Sequence, residues 1–187
     1  NERILDIGCG HGDLLDYLRQ NKNTTGLGID VKQEAVSACL AKGLNAIQGD
    51  AEKELAFYPS KSFDLAILSQ TLQALSQPHK TLDAMLRVAE RAVVTFPNFG
   101  YWRLRMQIAL EGRMPVNQTL SYQWHDTPNI HFCTIRDFVD SCDQWGFFVE
   151  KALYVNASGH GINLKDNLHR ANIWGVQAIF LLRQNKN

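Results

Sequence analysis

The chain has 187 residues, of which 45% are hydrophobic and 20% are charged. This composition is ordinary for a globular protein and unlike that of a disordered chain, and the length predicts one compact domain. The 19 basic and 19 acidic side chains cancel, so the overall charge favours neither nucleic acid nor an anionic membrane as a partner.

The first two thirds of the chain alternates strand and helix patterns. Apolar residues at helical spacing follow several of the strands, and Gly43 is placed to end one of these helices. Alternation of this kind is typical of a parallel sheet with helices on both faces and right-handed crossovers. The predicted strands are Ile4–Ile7, Gly26–Asp30, Asn45–Asp50, Phe63–Gln70 and Ala92–Pro97.

The last third of the chain departs from this alternation. Trp102, Met106 and Ala109 predict an amphipathic helix, and a long polar and aromatic connection follows it, which is typical of functional or mobile segments. Thr134 is expected to cap a further helix, with Asp137 at the third helical position. Two final strands are expected on either side of a loop at Asn156–Asn172, namely Phe147–Val155 and Ile173–Leu182.

The sequence ILDIGCGHGDLL, at residues 4–15, joins the first strand to a helix through three glycines. Free N–H groups and the helix dipole at such a turn favour an anionic or zwitterionic ligand group. A dinucleotide site requires G-x-G-x-x-G, but Asp13 stands where its third glycine should be, and the P-loop lysine is also absent. Both phosphate-binding interpretations are weakened, while a tight turn without a ligand remains an alternative.

The segment LDIGCGHG, at residues 5–12, resembles motif I of the class I S-adenosylmethionine-dependent methyltransferases. The resemblance implies an α/β, doubly wound Rossmann-like fold, with a mostly parallel seven-stranded sheet and one antiparallel edge strand. It also implies a single domain over residues 1–187 that binds S-adenosyl-L-methionine (SAM) or S-adenosyl-L-homocysteine (SAH). An N-terminal helix of that fold could be missing, because the first strand pattern starts at Ile4.

The acidic residues at the predicted strand ends fit this resemblance. Asp30 follows Gly10 by about 20 residues, where a carboxylate can accept both ribose hydroxyls. Asp50 would contact the adenine amino group, and Ser69 and Gln70 would lie beside the methionine part of the ligand. Either aspartate alone would more often be a helix cap. The resemblance implies these cofactor-binding residues: Asp6, Gly8, Cys9, Gly10, Gly12, Asp30, Val31, Asp50, Ala51, Ser69 and Gln70.

Three later blocks resemble the MetW family of bacterial methionine-biosynthesis proteins. They are LSQTLQAL at residues 68–75, TFPNFGYWRLRMQIALEGRMPV at 95–116 and WHDTPNIHFCTIRDF at 124–138. The resemblance extends from Ile4 to about Val155. It implies a SAM- or SAH-binding protein of methionine biosynthesis that supports the activity of homoserine O-acyltransferase, its expected partner.

The alternative is an active methyltransferase acting on an unidentified small-molecule or protein acceptor. The candidate catalytic residues are His125, Asp126 and Asn98. His125 beside Asp126 could be an oriented general base, although a hydrogen-bonded structural histidine is the competing interpretation. Enzymes that methylate amino groups of bases or glutamine carry D/N-P-P-Y after the fourth strand, whereas this chain has SQTLQAL there.

Other site classes and locations are not indicated by the sequence. His125 and His131 lack the spacing of a helical metal pair, and no C-x-x-C pair is present, so no metal site is expected. No segment approaches the roughly 18 apolar residues of a membrane span, and no signal segment is evident. The sequence therefore predicts a cytoplasmic protein that binds neither nucleic acid nor a membrane.

Overall fold

The fold is that of a computed structural model, which describes residues 1–116, 120, 122–164 and 167–185. Within these ranges, eight strands form one sheet: β1 Arg3–Ile7, β2 Thr25–Asp30, β3 Asn45–Gln48, β4 Phe63–Ser69, β5 Ala89–Pro97, β6 Phe147–Val155, β7 Gly161–Asn163 and β8 Gln177–Gln184. The helices are α1 Asp13–Lys22, α2 Gln33–Ala41, α3 Ala51–Glu54, α4 Pro78–Val88, α5 Trp102–Glu111, α6 Ile135–Trp145 and α7 Leu168–Trp174. Short 3-10 turns lie at Leu55–Phe57 and Leu72–Ala74.

The strands lie in the order β3-β2-β1-β4-β5-β8-β6-β7. The first five are parallel to one another, so their carboxyl ends meet at one edge of the sheet. The order reverses between β1 and β4, and ligands of open α/β sheets bind at such a point. The predicted α/β, doubly wound, mostly parallel fold is confirmed.

Alternate residues of β4 belong to different cores, which shows that both faces of the sheet are covered. Leu65 and Ile67 pack with Leu15 of α1 and Cys39 of α2. Ala66 and Leu68 pack in the larger core, with side chains of α3, α4 and α6. This alternation follows from the two-residue repeat of a strand.

The number of strands differs from the prediction. The sheet has eight strands instead of seven, and two of them are antiparallel instead of one: β7 lies at the edge, as predicted, and β8 lies between β5 and β6. The added strand, β7, forms a short hairpin with β6 in which Val155 is opposite Gly161. Its three residues are all exposed, and a strand this short leaves no detectable apolar alternation.

The segment predicted as a loop at 156–172 also contains most of α7. The Asn167 side chain caps this helix by accepting the N–H of Arg170 at 2.8 Å. Ile173 and Trp174, predicted to begin the last strand, belong to α7, and β8 begins at Gln177. Apolar residues flank this boundary on both sides, so hydrophobicity alone does not locate it.

The two helices predicted from the last third of the chain both form. Thr134 and Asp137 make the reciprocal hydrogen bonds of a capping box at the start of α6, as predicted. In α5, however, Trp102, Met106 and Ala109 are exposed, and Leu104 is the buried residue. The apolar face that the pattern indicated therefore lies in solvent. None of the helices in the described ranges is long and apolar enough to cross a membrane.

Candidate cofactor site

The glycine loop, residues 8–12, connects β1 to α1 at the carboxyl edge of the sheet. The N–H groups of Gly8 and Cys9 donate to the carbonyl of Ile29 at 2.8 and 3.2 Å, which joins the loop to β2. Gly10 has φ +53°, and a β-carbon there would meet nothing within 4 Å. The space beside Gly10 is therefore open.

Two buried thiols, one in the glycine loop and one in α2, pack against each other under the loop. The sulfur atoms of Cys9 and Cys39 lie 3.9 Å apart, and the Cys39 thiol donates to the carbonyl of Gly10 at 3.3 Å. A β-carbon on Gly12 would lie 2.8 Å from the Cys39 sulfur, and one on Gly28 would lie 2.5 Å from the Cys9 sulfur. Burial raises the pKa of the Cys9 thiol well above its ordinary value, so this thiol stays protonated and fills space.

Asp30, the last residue of β2, is bonded directly to the glycine loop. Its Oδ2 accepts the N–H of Gly10 at 2.9 Å, and its Oδ1 accepts the N–H of Lys32 at 2.9 Å. A carboxylate offers about four lone-pair positions, so each oxygen can accept one further hydrogen bond. This arrangement fits the two neighbouring hydroxyls of a ribose.

Asp6, in β1, carries an unpaired buried carboxylate oxygen beneath the same loop. Asp6 is only 2% exposed, and its Oδ1 has no hydrogen-bond partner among the residues that the structure describes. Burial, and then the charge of Asp30, raise the pKa of Asp6 to about 7. A bound cation would stabilise the ionised form of Asp6, and SAM carries both an ammonium and a sulfonium.

The end of β3 contributes Asp50, and the end of β2 contributes Val31. Asp50 caps α3 by accepting the N–H of Glu52 at 3.0 Å, and its other oxygen lies 3.3 Å from the ammonium of Lys53. Asp50 therefore acts as a helix cap, as the alternative interpretation expected, while its side chain remains partly exposed. Ala51 is buried at the start of α3, whereas Val31 is 63% exposed and offers an apolar surface on which a planar base can pack.

The end of β4 is held to β5 through Thr95. The hydroxyl oxygens of Ser69 and Thr95 lie 3.3 Å apart, and the N–H of Gln70 donates to the carbonyl of Thr95 at 3.0 Å. Gln70 has φ +57°, an uncommon backbone conformation for a residue other than glycine. Its exposed side chain lines a cleft that lies beside the end of β4, on the side of β5.

That cleft has a volume of about 720 Å³ and lies at the ends of β4, β5 and β8. Its described lining contains no Asp, Glu, Lys, Arg or His. It therefore offers no carboxylate or imidazole that could remove a proton from an acceptor. The lining residues are Gln70, Pro97, Phe99, Met114, Pro115, Leu120, Tyr122, Gln123, Trp124, Thr127, Pro128, Asn129, Phe132 and Gln177.

The structure does not assemble the three candidate catalytic residues into one group. Asn98 is fully buried, and all four of its hydrogen-bonding positions are occupied by backbone groups, namely those of Gly100, Ile135, Asn172 and Gly175. His125 and Asp126 are exposed, and the His125 ring packs edge-on against Trp124 at 5.5 Å. No described group of three or more His, Cys, Asp or Glu side chains is placed to hold a metal ion.

Three residues at the site were not predicted from the sequence. Thr71 contacts Gly8, so closely that a β-carbon on Gly8 would lie 2.4 Å from its Oγ1. Cys39 supports the loop, and Thr95 holds the end of β4. Each of these contacts joins segments distant in the chain, so no local pattern identifies them.

Comparisons with known proteins show which family the chain resembles in sequence. A family model described as methionine biosynthesis protein MetW matches residues 1–182. The bifunctional methionine biosynthesis protein MetXA/MetW of Rhodopirellula baltica is 34% identical over 160 residues, which is 81% of this chain and 26% of that protein. The chain spans about a quarter to a third of the length of the curated relatives it matches.

Solved structures show the same fold at low sequence identity. A SAM-dependent methyltransferase from Archaeoglobus fulgidus matches 98% of this chain and 86% of its own, with a TM-score of 0.68 and 15% identity. The [4+2]-cyclase SpnF matches 100% of this chain and 76% of its own, with a TM-score of 0.68 and 18% identity. A fold that is shared by a methyltransferase and a cyclase does not by itself establish the reaction.

Proposed function

The chain belongs to the MetW family of methionine biosynthesis proteins, and from this membership we propose that it binds SAM or SAH and supports homoserine O-acyltransferase. The observation that carries the cofactor proposal is the hydrogen bond between the Asp30 carboxylate and the Gly10 N–H. It joins the glycine loop and the end of β2 into one site beside the open space at Gly10.

In this proposal the aspartates bind the two ends of the ligand. Asp30 accepts the ribose hydroxyls, and Asp50 and Val31 contact the adenine. Asp6 supplies a negative charge for the cationic amino-acid end of SAM or SAH, while Ser69 and Gln70 lie beside that end. The remaining cofactor contacts come from the loop itself. SAM, when bound, would supply an electrophilic methyl group.

Calorimetric titration with SAM and with SAH tests the site. Each hydrogen bond from a hydroxyl to a charged carboxylate contributes about 1.5–3 kcal/mol, so Asp30→Ala should raise the Kd by about 100-fold or more. Asp140→Asn, a change at an exposed residue of α6, is the matched control and should leave the Kd unchanged. Equal affinity of wild type and Asp30→Ala would show that the site is assigned to the wrong residues.

The partner proposal is supported by the Rhodopirellula relative, which is named for both MetXA and MetW and is about four times as long as the matched segment. Purified homoserine O-acyltransferase should become more active when this protein is added. Comparing wild type with Asp30→Ala, with and without SAM or SAH, shows whether the effect depends on the bound ligand. We also propose a cytoplasmic location, since biosynthesis of an amino acid takes place there.

The second candidate function is methyl transfer to a small-molecule or protein acceptor. The cleft of about 720 Å³ beside Gln70 favours it, because the acceptor must lie next to the methionine part of SAM. Because the described lining supplies no carboxylate or imidazole as a base, this function is best suited to an acceptor that has no proton to lose. Incorporation of label from methyl-labelled SAM into a cell extract, abolished by Asp30→Ala, would support this function.

A further inference from the structure

We propose that the solvent-facing side of α5 is the surface through which the chain binds homoserine O-acyltransferase. This inference rests on the partnership proposed above and adds the site of contact. The residues at its centre are Trp102, Met106 and Leu110, called here the apolar stripe. They follow one another at intervals of four, so they lie along one face of the helix.

The apolar stripe lies on the opposite side of α5 from its buried residue. Leu104 packs with Tyr101 and Leu120 in a small core, and it is the only buried residue in the ten residues of α5. A free helix of this length is marginal in water, and most helices in proteins are stabilised by burying an apolar face. A partner that covers the stripe would supply the burial that this helix lacks.

The apolar stripe is accompanied by further exposed apolar side chains on α5 and on the segment after it, which together define the apolar surface. Leu110 is 76% exposed and Trp124 is 75% exposed. At its N-terminal end the stripe adjoins Trp174, whose ring centre lies 5.9 Å from that of Trp102. Single exposed apolar residues are ordinary, whereas groups of them mark interaction sites. The members of this surface are Trp102, Met106, Ile108, Leu110, Met114, Val116, Tyr122, Trp124, Ile130 and Phe132.

The charges around this surface favour a protein partner over a membrane. Arg103, Arg105 and Arg113 are nearly balanced by Glu111 and Asp126, whereas binding to anionic lipid usually needs clusters of four to eight basic residues. The Arg103 guanidinium lies 5.5 Å from the centre of the Trp102 ring, and the Arg105 Nε donates to the carbonyl of Gly100. Two of the three arginines are therefore engaged within the chain.

The Rhodopirellula relative indicates which protein occupies the surface. A chain that holds both named parts keeps them at a high effective concentration, so that even a weak contact between them is populated. A surface rich in Trp, Tyr, Phe and Met, with few charges at its centre, has the composition of an interface core. The acyltransferase is therefore expected to present a complementary apolar surface.

The test measures the Kd between the purified protein and purified homoserine O-acyltransferase. The double variant Met106→Lys, Leu110→Glu places two charges on the stripe without a net change of charge. Its Kd should rise by about 30-fold or more, as for residues at the centre of an interface. The matched control is Leu40→Glu, Phe57→Lys, which changes two exposed apolar residues elsewhere and should leave the Kd unchanged. Thermal unfolding and SAM titration should be unchanged in both.

The other outcomes overturn the inference in distinguishable ways. If wild type binds the acyltransferase and the stripe variant binds equally well, the surface is wrong while the proposed partnership stands. If wild type does not bind the acyltransferase at all, the partnership itself fails. Self-association lost in the stripe variant, with acyltransferase binding retained, would assign the surface to a second copy of this chain. Loss of binding to phosphatidylglycerol vesicles, again with acyltransferase binding retained, would assign it to a membrane.

Discussion

Replacing Asp6 with asparagine should make the ligand-free protein more stable above neutral pH. The wild-type carboxyl is buried, one of its oxygens has no hydrogen-bond partner in the described part of the chain, and its pKa is raised to about 7. The unfolded chain releases this proton near pH 4, while the folded protein retains it until about pH 7. The contribution of Asp6 to stability therefore becomes more unfavourable from about pH 4 to pH 7 and is constant above that.

The magnitude follows from the size of the pKa rise. At about 1.4 kcal/mol per pH unit, ionising Asp6 inside the fold costs on the order of 4 kcal/mol at pH 8. Between pH 5.5 and pH 8, the free energy of unfolding of Asp6→Asn minus that of wild type should increase by about 2 kcal/mol. Any effect of the amide itself is independent of pH and cancels from this comparison.

Urea unfolding of both proteins at several pH values from 5.5 to 8 measures this difference. Asp64→Asn is the control, because Arg3 lowers the pKa of Asp64 to about 2. Stability from that ion pair is lost only as pH falls from about 4 toward 2, so the control should run parallel to wild type in this range. Parallel curves for Asp6→Asn as well would refute the reasoning and show that Asp6 does not titrate there.

Three further predictions concern the same region. Wild type should bind SAM up to about tenfold more weakly at pH 6 than at pH 8, because only the ionised fraction of Asp6 is competent, and calorimetry on Asp6→Asn should show no such dependence. Gly10 and Gly12 both have positive φ, so alanine at either position costs roughly 1–2 kcal/mol of backbone strain. Gly12→Ala should cost about 1–3 kcal/mol more, since its methyl would meet Leu44 and Cys39 at 2.7 and 2.8 Å, whereas Gly10→Ala should add only the loss of SAM binding by filling open space; denaturation and titration separate the two effects. Asn98→Ala removes the partner of four backbone groups, three of them on buried residues, and should lower the free energy of unfolding by at least about 3 kcal/mol, a loss visible in urea unfolding without any substrate.

The site was more predictable than the periphery of the sheet. The glycine loop and Asp30 could be placed together from the sequence, because the carboxyl ends of parallel strands must meet at one edge, and the hydrogen bond from Gly10 to Asp30 is direct evidence of that contact. The individual ligand contacts of Val31, Asp50, Ser69 and Gln70 stay predictions. The β7 hairpin and α7 were not predicted, because short or exposed elements carry little apolar periodicity.

Local patterns in the sequence determined the alternation of strands and helices, the glycine loop and the capping box of α6, since each depends on residues that are close in the chain. Only the tertiary structure decided that the Asn98 side chain makes all its hydrogen bonds to backbone groups, that the Cys39 thiol bonds to the Gly10 carbonyl and that the apolar face of α5 is turned to solvent. These facts depend on contacts between distant segments. An apolar stripe on a helix has the same pattern whether its own protein or a partner covers it.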